Sequence, residues 1–251
     1  MNGNDNIVLI TGASRGIGAA TARLFAKNNY KICINYINDS DSAISLAKEI
    51  MQSGGQCITV QADVSAENEV LRLFETVDKK LGTLSVLVNN AAVLRAQSRL
   101  DAMSAERINH LLTSNVTSQF LCCREAVKRM STKYKGRGGN IINVSSGASR
   151  TGAPNEYTDY AATKGAIDTL TMGLSKEVAA ENIRVNCVRP GLIYTDMHAD
   201  GGEPNRVDRL KSIIPMQRGG NPAEVAEAIY WFGSAKSSFT TGSFIDVTGG
   251  L

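Results

Sequence analysis

The sequence predicts one α/β domain, a doubly wound, parallel, seven-stranded sheet flanked by helices on both faces. Short apolar runs at 7–10, 31–36, 56–61, 85–88, 140–144, 184–188 and 243–247 alternate with amphipathic stretches such as 42–52, 67–81, 105–133 and 159–180. That alternation is the signature of parallel strands joined by crossover helices. The first, fourth and fifth runs are apolar almost without a break, as strands covered on both faces must be. With 251 residues, 43% hydrophobic and 20% charged, the chain has no linker-like stretch, repeat or low-complexity block, so 1–251 reads as a single domain.

The first strand runs directly into Thr11-Gly12-Ala13-Ser14-Arg15-Gly16-Ile17-Gly18, which opens a helix continuing to Lys27. Glycines there let the backbone turn sharply and approach a pyrophosphate, and the free N–H groups of the helix start bind its charge. In this strand-then-helix setting the spacing G-x-x-x-G-x-G points to a dinucleotide and so to a Rossmann fold, with Gly12, Ser14, Arg15, Gly16, Ile17 and Gly18 as the loop that holds it.

The second strand ends in Asn35-Tyr36-Ile37-Asn38, where an acidic residue would select the 2′-hydroxyl of NAD. No carboxylate stands there, and Arg15 can pair with a 2′-phosphate. This favours NADP, with Tyr36 beside the ribose; NAD stays open because Asp39 and Asp41 reach the ribose if the strand ends later. The third strand exits into Ala62-Asp63-Val64-Ser65, at the adenine edge, where Asp63 either accepts from the adenine amino group or caps the next helix. The fourth runs into Asn89-Asn90-Ala91-Ala92, small residues that allow close cofactor approach and amides that can tie strand ends together.

Tyr160 and Lys164 stand four positions apart in a helical stretch and therefore share a face. An ammonium beside a phenol favours phenolate, which suits Tyr160 to proton transfer near neutral pH.

Composition narrows the function. A net charge of +3 does not argue for nucleic acid, and the cations between Arg124 and Arg137 complement a helix C-terminus. No run has the length of a membrane span, and Met1–Asn6 lacks the basic start and apolar core of a signal peptide. Cys33, Cys57, Cys122, Cys123 and Cys187 show no C-x-x-C spacing and read as buried thiols of a reducing cytoplasm. With only His110 and His198, no metal site is expected.

Together these motifs resemble the classical short-chain dehydrogenases/reductases along essentially the whole chain: the glycine loop 11–18, the amide motif 89–92, Asn115, the serine in Asn143-Val144-Ser145-Ser146, Tyr160 to Lys164, and Pro190-Gly191. Glucose-dehydrogenase-like members and uncharacterised bacterial oxidoreductases are the nearest in kind. The resemblance implies that Tyr160 exchanges a proton with the substrate oxygen, that Lys164 lowers its pKa and holds the nicotinamide ribose, that a serine hydroxyl bonds the same oxygen, and that Asn115 holds a water linking Lys164 to solvent. It also implies that Pro190 and Gly191 pass the nicotinamide and that Ile193 and Thr195 meet its carboxamide and the pyrophosphate.

Two departures from the pattern stand out. Ala92 replaces the usual glycine of the amide motif, and the position thirteen before Tyr160 is Gly147, implying one residue added within 152–159. Ser146 is the expected catalytic serine, with Ser145 as the alternative.

The polar connection 196–215, part of a substrate loop at about 191–215, is expected to close over a small polar substrate. The resemblance further implies a homotetramer. The sequence therefore predicts an NADP(H)-preferring oxidoreductase interconverting a carbonyl and a secondary alcohol such as a sugar or polyol. A 3-oxoacyl-[acyl-carrier-protein] reductase is the alternative, with residues 128–137 docking an acidic carrier, and a non-catalytic NADP(H)-sensing regulator is the alternative of another class.

Overall fold

The computed structural model describes residues 6–251; the polar segment Met1–Asp5 lies outside it. In chain order the elements are β1 (Ile7–Ile10), α1 (Gly16–Lys27), β2 (Lys31–Tyr36), α2 (Ser40–Gln52), β3 (Cys57–Gln61), α3 (Glu67–Lys80) and β4 (Val86–Asn89). There follow α4 (Ala105–Leu112), α5 (Ser118–Met130), β5 (Gly139–Val144), α6 (Ala148–Thr151), α7 (Thr158–Val178) and β6 (Ile183–Pro190). The chain finishes with α8 (Met197–Asp200), α9 (Arg206–Leu210), α10 (Pro222–Gly233) and β7 (Phe244–Val247).

The strands form one seven-stranded sheet in the order β3-β2-β1-β4-β5-β6-β7. Every pairing is parallel. Because side chains alternate along a strand, β1 feeds both faces. Val8 and Ile10 pack with Phe25 of α1, Leu46 of α2 and Ile229 of α10. Ile7 and Leu9 pack with Phe74 of α3, Cys123 and Ala126 of α5 and Val178 of α7. All four β1 residues are buried, which explains their unbroken apolar run. α10 starts with Pro222 in its first turn, and the Glu224 carboxylate accepts from the Asn221 N–H at 2.8 Å.

One expected helix is not continuous. The stretch 105–133 divides into α4 and α5 around a π-helical turn, Thr113–Thr117, and a separate 3-10 turn, Thr132–Tyr134, follows α5. Asn115 lies in that π turn, fully buried, with its amide turned inward. Periodicity could not reveal the break, because a single widened turn shifts the apolar face by a fraction of a residue.

The strand order reverses direction at β1, whose neighbours are β2 on one side and β4 on the other. The crevice beyond the carboxyl ends of β1 and β4 is where such sheets bind ligands.

Candidate active site

The glycine loop is fixed from three sides. Thr11 Oγ1 accepts from the Asn90 and Ala91 N–H groups, both at 3.0 Å, and Asn90 Nδ2 donates to the Thr11 and Gly12 carbonyls, both at 2.9 Å. Asn35 Oδ1 accepts from Gly12 N at 3.3 Å while its Nδ2 donates to Ala62 O at 2.9 Å and Val60 O at 3.3 Å, so one amide joins β2, β3 and the loop. Gly12 has φ +60°, and a Cβ there would stand 2.9 Å from Ala91 Cα; one at Gly18 would stand 2.7 Å from Asn90 Nδ2. Both contacts are closer than a methyl group tolerates, so glycine is required.

Beyond the loop, α1 begins without a side-chain cap and without an acidic residue in its first turn. Its leading N–H groups are thus open to an anion, and the residues present fit a dinucleotide diphosphate. Ser14 and Ile17 flank this turn, half-buried, and Thr195 approaches Gly16 from the opposite rim.

Arg15 is engaged elsewhere. Its guanidinium pairs with Asp200 and, at 3.8 Å, with Asp196. Tyr36 is half-buried at the end of β2 against the core. Asp63 accepts from the N–H and hydroxyl of Ser65 through one oxygen, at 2.9 and 2.7 Å, which organises the turn before α3; the N-cap of α3 is Ala66. Val64 is buried among the core residues under α3.

Tyr160, Ser146 and Lys164 come together at the exits of β4 and β5. Tyr160 is only 9% exposed and Lys164 1%. The lysine reaches back to donate to Val144 O at 2.8 Å, and its Nζ lies 5.5 Å from the centre of the Tyr160 ring. The two serines have separate partners. Ser145 is buried and donates to Lys164 O at 3.1 Å, tying β5 to α7, whereas Ser146 is half-buried and accepts from Ala148 N at 3.1 Å.

The Tyr160 phenol is pushed up to about 12 by burial, against an opposing pull from the Ser146 hydroxyl. Burial likewise lowers Lys164 to about 8, countered by Cys187 and Asp168.

Asn115 uses its side chain structurally. Oδ1 accepts from Val93 N at 2.8 Å, and Nδ2 donates to Val93 O at 3.0 Å and Thr163 Oγ1 at 3.3 Å. The amide therefore ties the segment after β4 to α7. On the opposite rim Pro190 O accepts from Gly147 N at 2.8 Å, and Gly191 N donates to Val247 O at 2.9 Å. Ile193 is buried and bridges to Gly220, its carbonyl facing His198 Nε2 at 3.0 Å.

The polar connection 196–215, expected as a loop, is partly helical, containing α8, α9 and a 3-10 turn, Lys211–Ile213. Its charged side chains pair with one another and with the segment before α7. Glu203 takes Arg206 at 3.1 Å and Arg209, and Glu156 takes Arg206 and, at 3.6 Å, Arg209. The Arg206 guanidinium lies 5.0 Å from the ring centre of buried Tyr157, whose hydroxyl donates to Gly201 O at 3.5 Å.

Thr11, Asn35, Glu156, Tyr157 and Thr163 were not among the residues the sequence singles out for the site. Asn35 and Tyr157 had a readable signal: a polar residue inside a buried strand and an aromatic one turn before Tyr160. Among the described residues no group of His, Cys, Asp and Glu could hold a metal, and no helix is long and apolar enough to cross a membrane.

A hydroxyl, a phenol and an amine brought together in a buried site can move a proton to or from a substrate oxygen. Known proteins similar to this chain are numerous. A family profile described as enoyl-(acyl carrier protein) reductase matches residues 12–251. An uncharacterised oxidoreductase, YgfF of Escherichia coli, is 59% identical over 97% of this chain and 99% of its own. A 3-oxoacyl-[acyl-carrier-protein] reductase of Synechocystis is 37% identical over 98% and 96% of the two chains, and glucose 1-dehydrogenase 2 of Bacillus subtilis is 36% identical over 97% of this chain and 93% of its own. A short-chain dehydrogenase of Burkholderia cenocepacia, solved in complex with NADP, superposes with a TM-score of 0.90 at 28% identity, covering 98% of this chain and 97% of that one. The chain therefore belongs to the short-chain dehydrogenase/reductase family and is an oxidoreductase.

Proposed function

We propose that this oxidoreductase prefers NADP(H) and interconverts a carbonyl and a secondary alcohol on a small polar substrate, such as a sugar or polyol. The observation that carries the chemistry is the convergence of Tyr160, Ser146 and Lys164 at the carboxyl end of β5, on the same edge of the parallel sheet from which the uncapped α1 starts.

In the reductive direction the bound dinucleotide supplies the hydride that forms the new C–H bond. Tyr160 gives its hydroxyl proton to the substrate oxygen as the C=O π bond breaks, and Ser146 donates a hydrogen bond to that oxygen. Developing negative charge is thus neutralised as it appears. Lys164, held by Val144 O, keeps a positive charge next to the phenol and would hold the nicotinamide ribose. Asn115 secures the wall formed by Val93 and α7. Gly12, Ser14, Gly16, Ile17, Gly18 and Ala92 would line the diphosphate and adenosine, with Asn90 and Ala91 holding that loop, and Pro190, Gly191, Ile193 and Thr195 the nicotinamide side.

Absence of a carboxylate at the end of β2 supports NADP, with Arg15 turning from Asp196 and Asp200 to the 2′-phosphate. Polar substrates are favoured by the charged side chains of residues 196–215 over the mouth. The carrier-protein alternative draws on the Synechocystis relative; of its docking cations Lys128 pairs with Glu125 at 2.9 Å and Arg129 with Glu125 at 2.9 Å and Asp78 at 2.8 Å, while Lys133, Lys135 and Arg137 are exposed. Five buried free thiols accord with a cytoplasmic setting, and the half-exposed Leu112, Phe120 and Met172 with a homotetramer.

The test is an NADPH fluorescence titration followed by a carbonyl panel scored by NADPH consumption. Tyr160→Phe is expected to bind NADPH like the wild type and to lose roughly 10³-fold in turnover. Full turnover in that variant would remove Tyr160 from the mechanism, and binding without turnover by the wild type would favour a sensor.

A further inference from the structure

Both polar atoms of the Tyr160 backbone are held by side chains. Its N–H donates to Asp159 Oδ1 at 2.9 Å, and its carbonyl accepts from Thr163 Oγ1 at 2.7 Å. Asp159 is in turn gripped by Arg107 of α4, 52 residues earlier in the chain. Arg107 Nε donates to Asp159 Oδ2 at 2.6 Å and Nη2 to Oδ1 at 3.4 Å, while Nη1 donates to Ala96 O at 2.7 Å.

One guanidinium thereby fastens three segments: α4, the stretch after β4, and the first turn of α7. The stretch after β4 is tied to the approach of α7 a second time, by Ser98 N donating to Glu156 O at 3.0 Å. Leu94 and Ala96 of the same stretch stand against Gly201 and Gly202 of the segment over the mouth. Arg107 projects from a capped helix start, Ser104 Oγ accepting from Arg107 N at 3.2 Å.

Helix capping does not account for this pair. A carboxylate in the first turn of α7 already complements the helix dipole, whereas a guanidinium brings positive charge to the positive end. Stability does not account for it either. The two side chains are 17% and 3% exposed, and the attraction in a buried ion pair offsets little more than its desolvation. What the planar fork supplies is register, because two bonds to a carboxylate and one to a carbonyl are satisfied together in one arrangement only.

We propose that Arg107 and Asp159 are positioning residues for Tyr160: they fix its phenol relative to the stretch 93–98, so that a carbonyl held against that stretch meets the proton donor. Neither touches the reacting atoms; both act through the backbone of Tyr160. The functional part rests on the reading of Tyr160 as the proton donor, whereas the clamp itself does not.

Fluorine NMR of protein labelled with 3-fluorotyrosine tests the clamp without any substrate, the Tyr160 signal being assigned by its disappearance in Tyr160→Phe. Arg107→Lys keeps the cation and gives up the fork; Asp159→Asn keeps an acceptor for Tyr160 N and gives up the charge. In both variants the Tyr160 signal is expected to move, while those of Tyr30 and Tyr230, packed edge to face in the core on the other side of the sheet, stay. A Tyr160 signal that stays in either variant, or that moves only together with Tyr30 and Tyr230, overturns the proposal. Kinetics add a readout that a purely structural role would not move. With a carbonyl that the wild type reduces, both variants are expected to lose roughly ten- to a hundredfold in kcat, with KM and the NADPH dissociation constant within about twofold of the wild type. An unchanged kcat overturns the proposal. No turnover by the wild type, or full turnover in Tyr160→Phe, would instead remove the reading of Tyr160 and leave the NMR result as the test of the clamp.

Discussion

Thr11, Asn35 and Asn90 hold the glycine loop by hydrogen bonds to backbone groups in and beside the core, whereas residues 196–213 are fastened by ion pairs, many of them exposed. The two halves of the site consequently answer to different forces. Hydrogen bonds in the cradle are neutral and shielded, so they fix geometry whatever the ionic strength. Exposed ion pairs are worth about 0–1 kcal/mol each and weaken with salt. On the proposed reading of residues 196–213 as a cover, the cradle is built to stay put and the covering segment to let go, which suits a preformed nucleotide seat and a cover that opens for substrate and product.

The largest effect is expected where the cradle is cut. Asn35→Ala removes the partner of Gly12 N and of the Val60 and Ala62 carbonyls in one step. With about 1–3 kcal/mol for each buried group left unsatisfied and partial rescue by entering water, the loss should be about 4 kcal/mol. Chemical denaturation should show it, and NADPH should bind at least tenfold more weakly. A loss below about 1 kcal/mol would mean that the loop is held by its own backbone and that the contrast drawn here is wrong.

How readable each half was in the sequence follows from the same contrast. The strands, their parallel order of connection and the loop 11–18 were legible because they are local: apolar runs, and glycines within eight consecutive residues. Tyr160 and Lys164 were legible because four residues span one helical turn. Asn35 was passed over because its partners lie 23 to 27 residues away, and nothing in a strand pattern distinguishes a solvated amide from one that joins three segments. The covering segment was misread as a loop because its helices are four and five residues long, too short to display a period. The partners of Arg15, Asp196 and Asp200, were not legible because they lie more than 180 residues downstream.

Lys164 sits between the halves and tests what a buried charge without a carboxylate contact does. Its folded-state value, about 8, lies below the ordinary 10.5, so the folded chain disfavours the charged form. The penalty is complete below pH 8, declines as pH rises toward 10.5 and is absent above it; converted at 1.36 kcal/mol per unit it is on the order of 3 kcal/mol. Lys164→Met should therefore melt several degrees higher than the wild type at pH 7, at roughly 2–4 °C per kcal/mol, and the gap should close as pH approaches 10.5. A gap independent of pH would assign it to packing.

For the cover, Glu156→Gln takes one charge from Arg206 and Arg209. Stability should change by less than about 1 kcal/mol, yet trypsin should cut after Arg209 or Lys211 several-fold faster, since local opening and not global unfolding exposes those bonds. Wild-type protein in about 0.5 M salt should behave like the variant. Equal cleavage rates in all three would show that the segment is held by Tyr157 and its packing and not by charge.

The smallest effect is the most specific. Arg15 has 48% of its side chain exposed and is shared by Asp200 and, more distantly, Asp196, both on the cover. If Arg15 reads the 2′-phosphate, those carboxylates compete with the cofactor for one guanidinium, and weakening them should tighten NADPH but not NADH. An exposed pair worth up to about 1 kcal/mol corresponds to no more than about fivefold in affinity. Asp200→Asn should thus lower the NADPH dissociation constant two- to fivefold at low salt, with the gain lost near 0.5 M salt. NADH is the control that separates two causes, because removing a negative charge near the diphosphate favours either cofactor, whereas freeing Arg15 favours only the one that carries the extra phosphate. Equal tightening of both would detach Arg15 from cofactor choice and leave it as a strut of the cover alone.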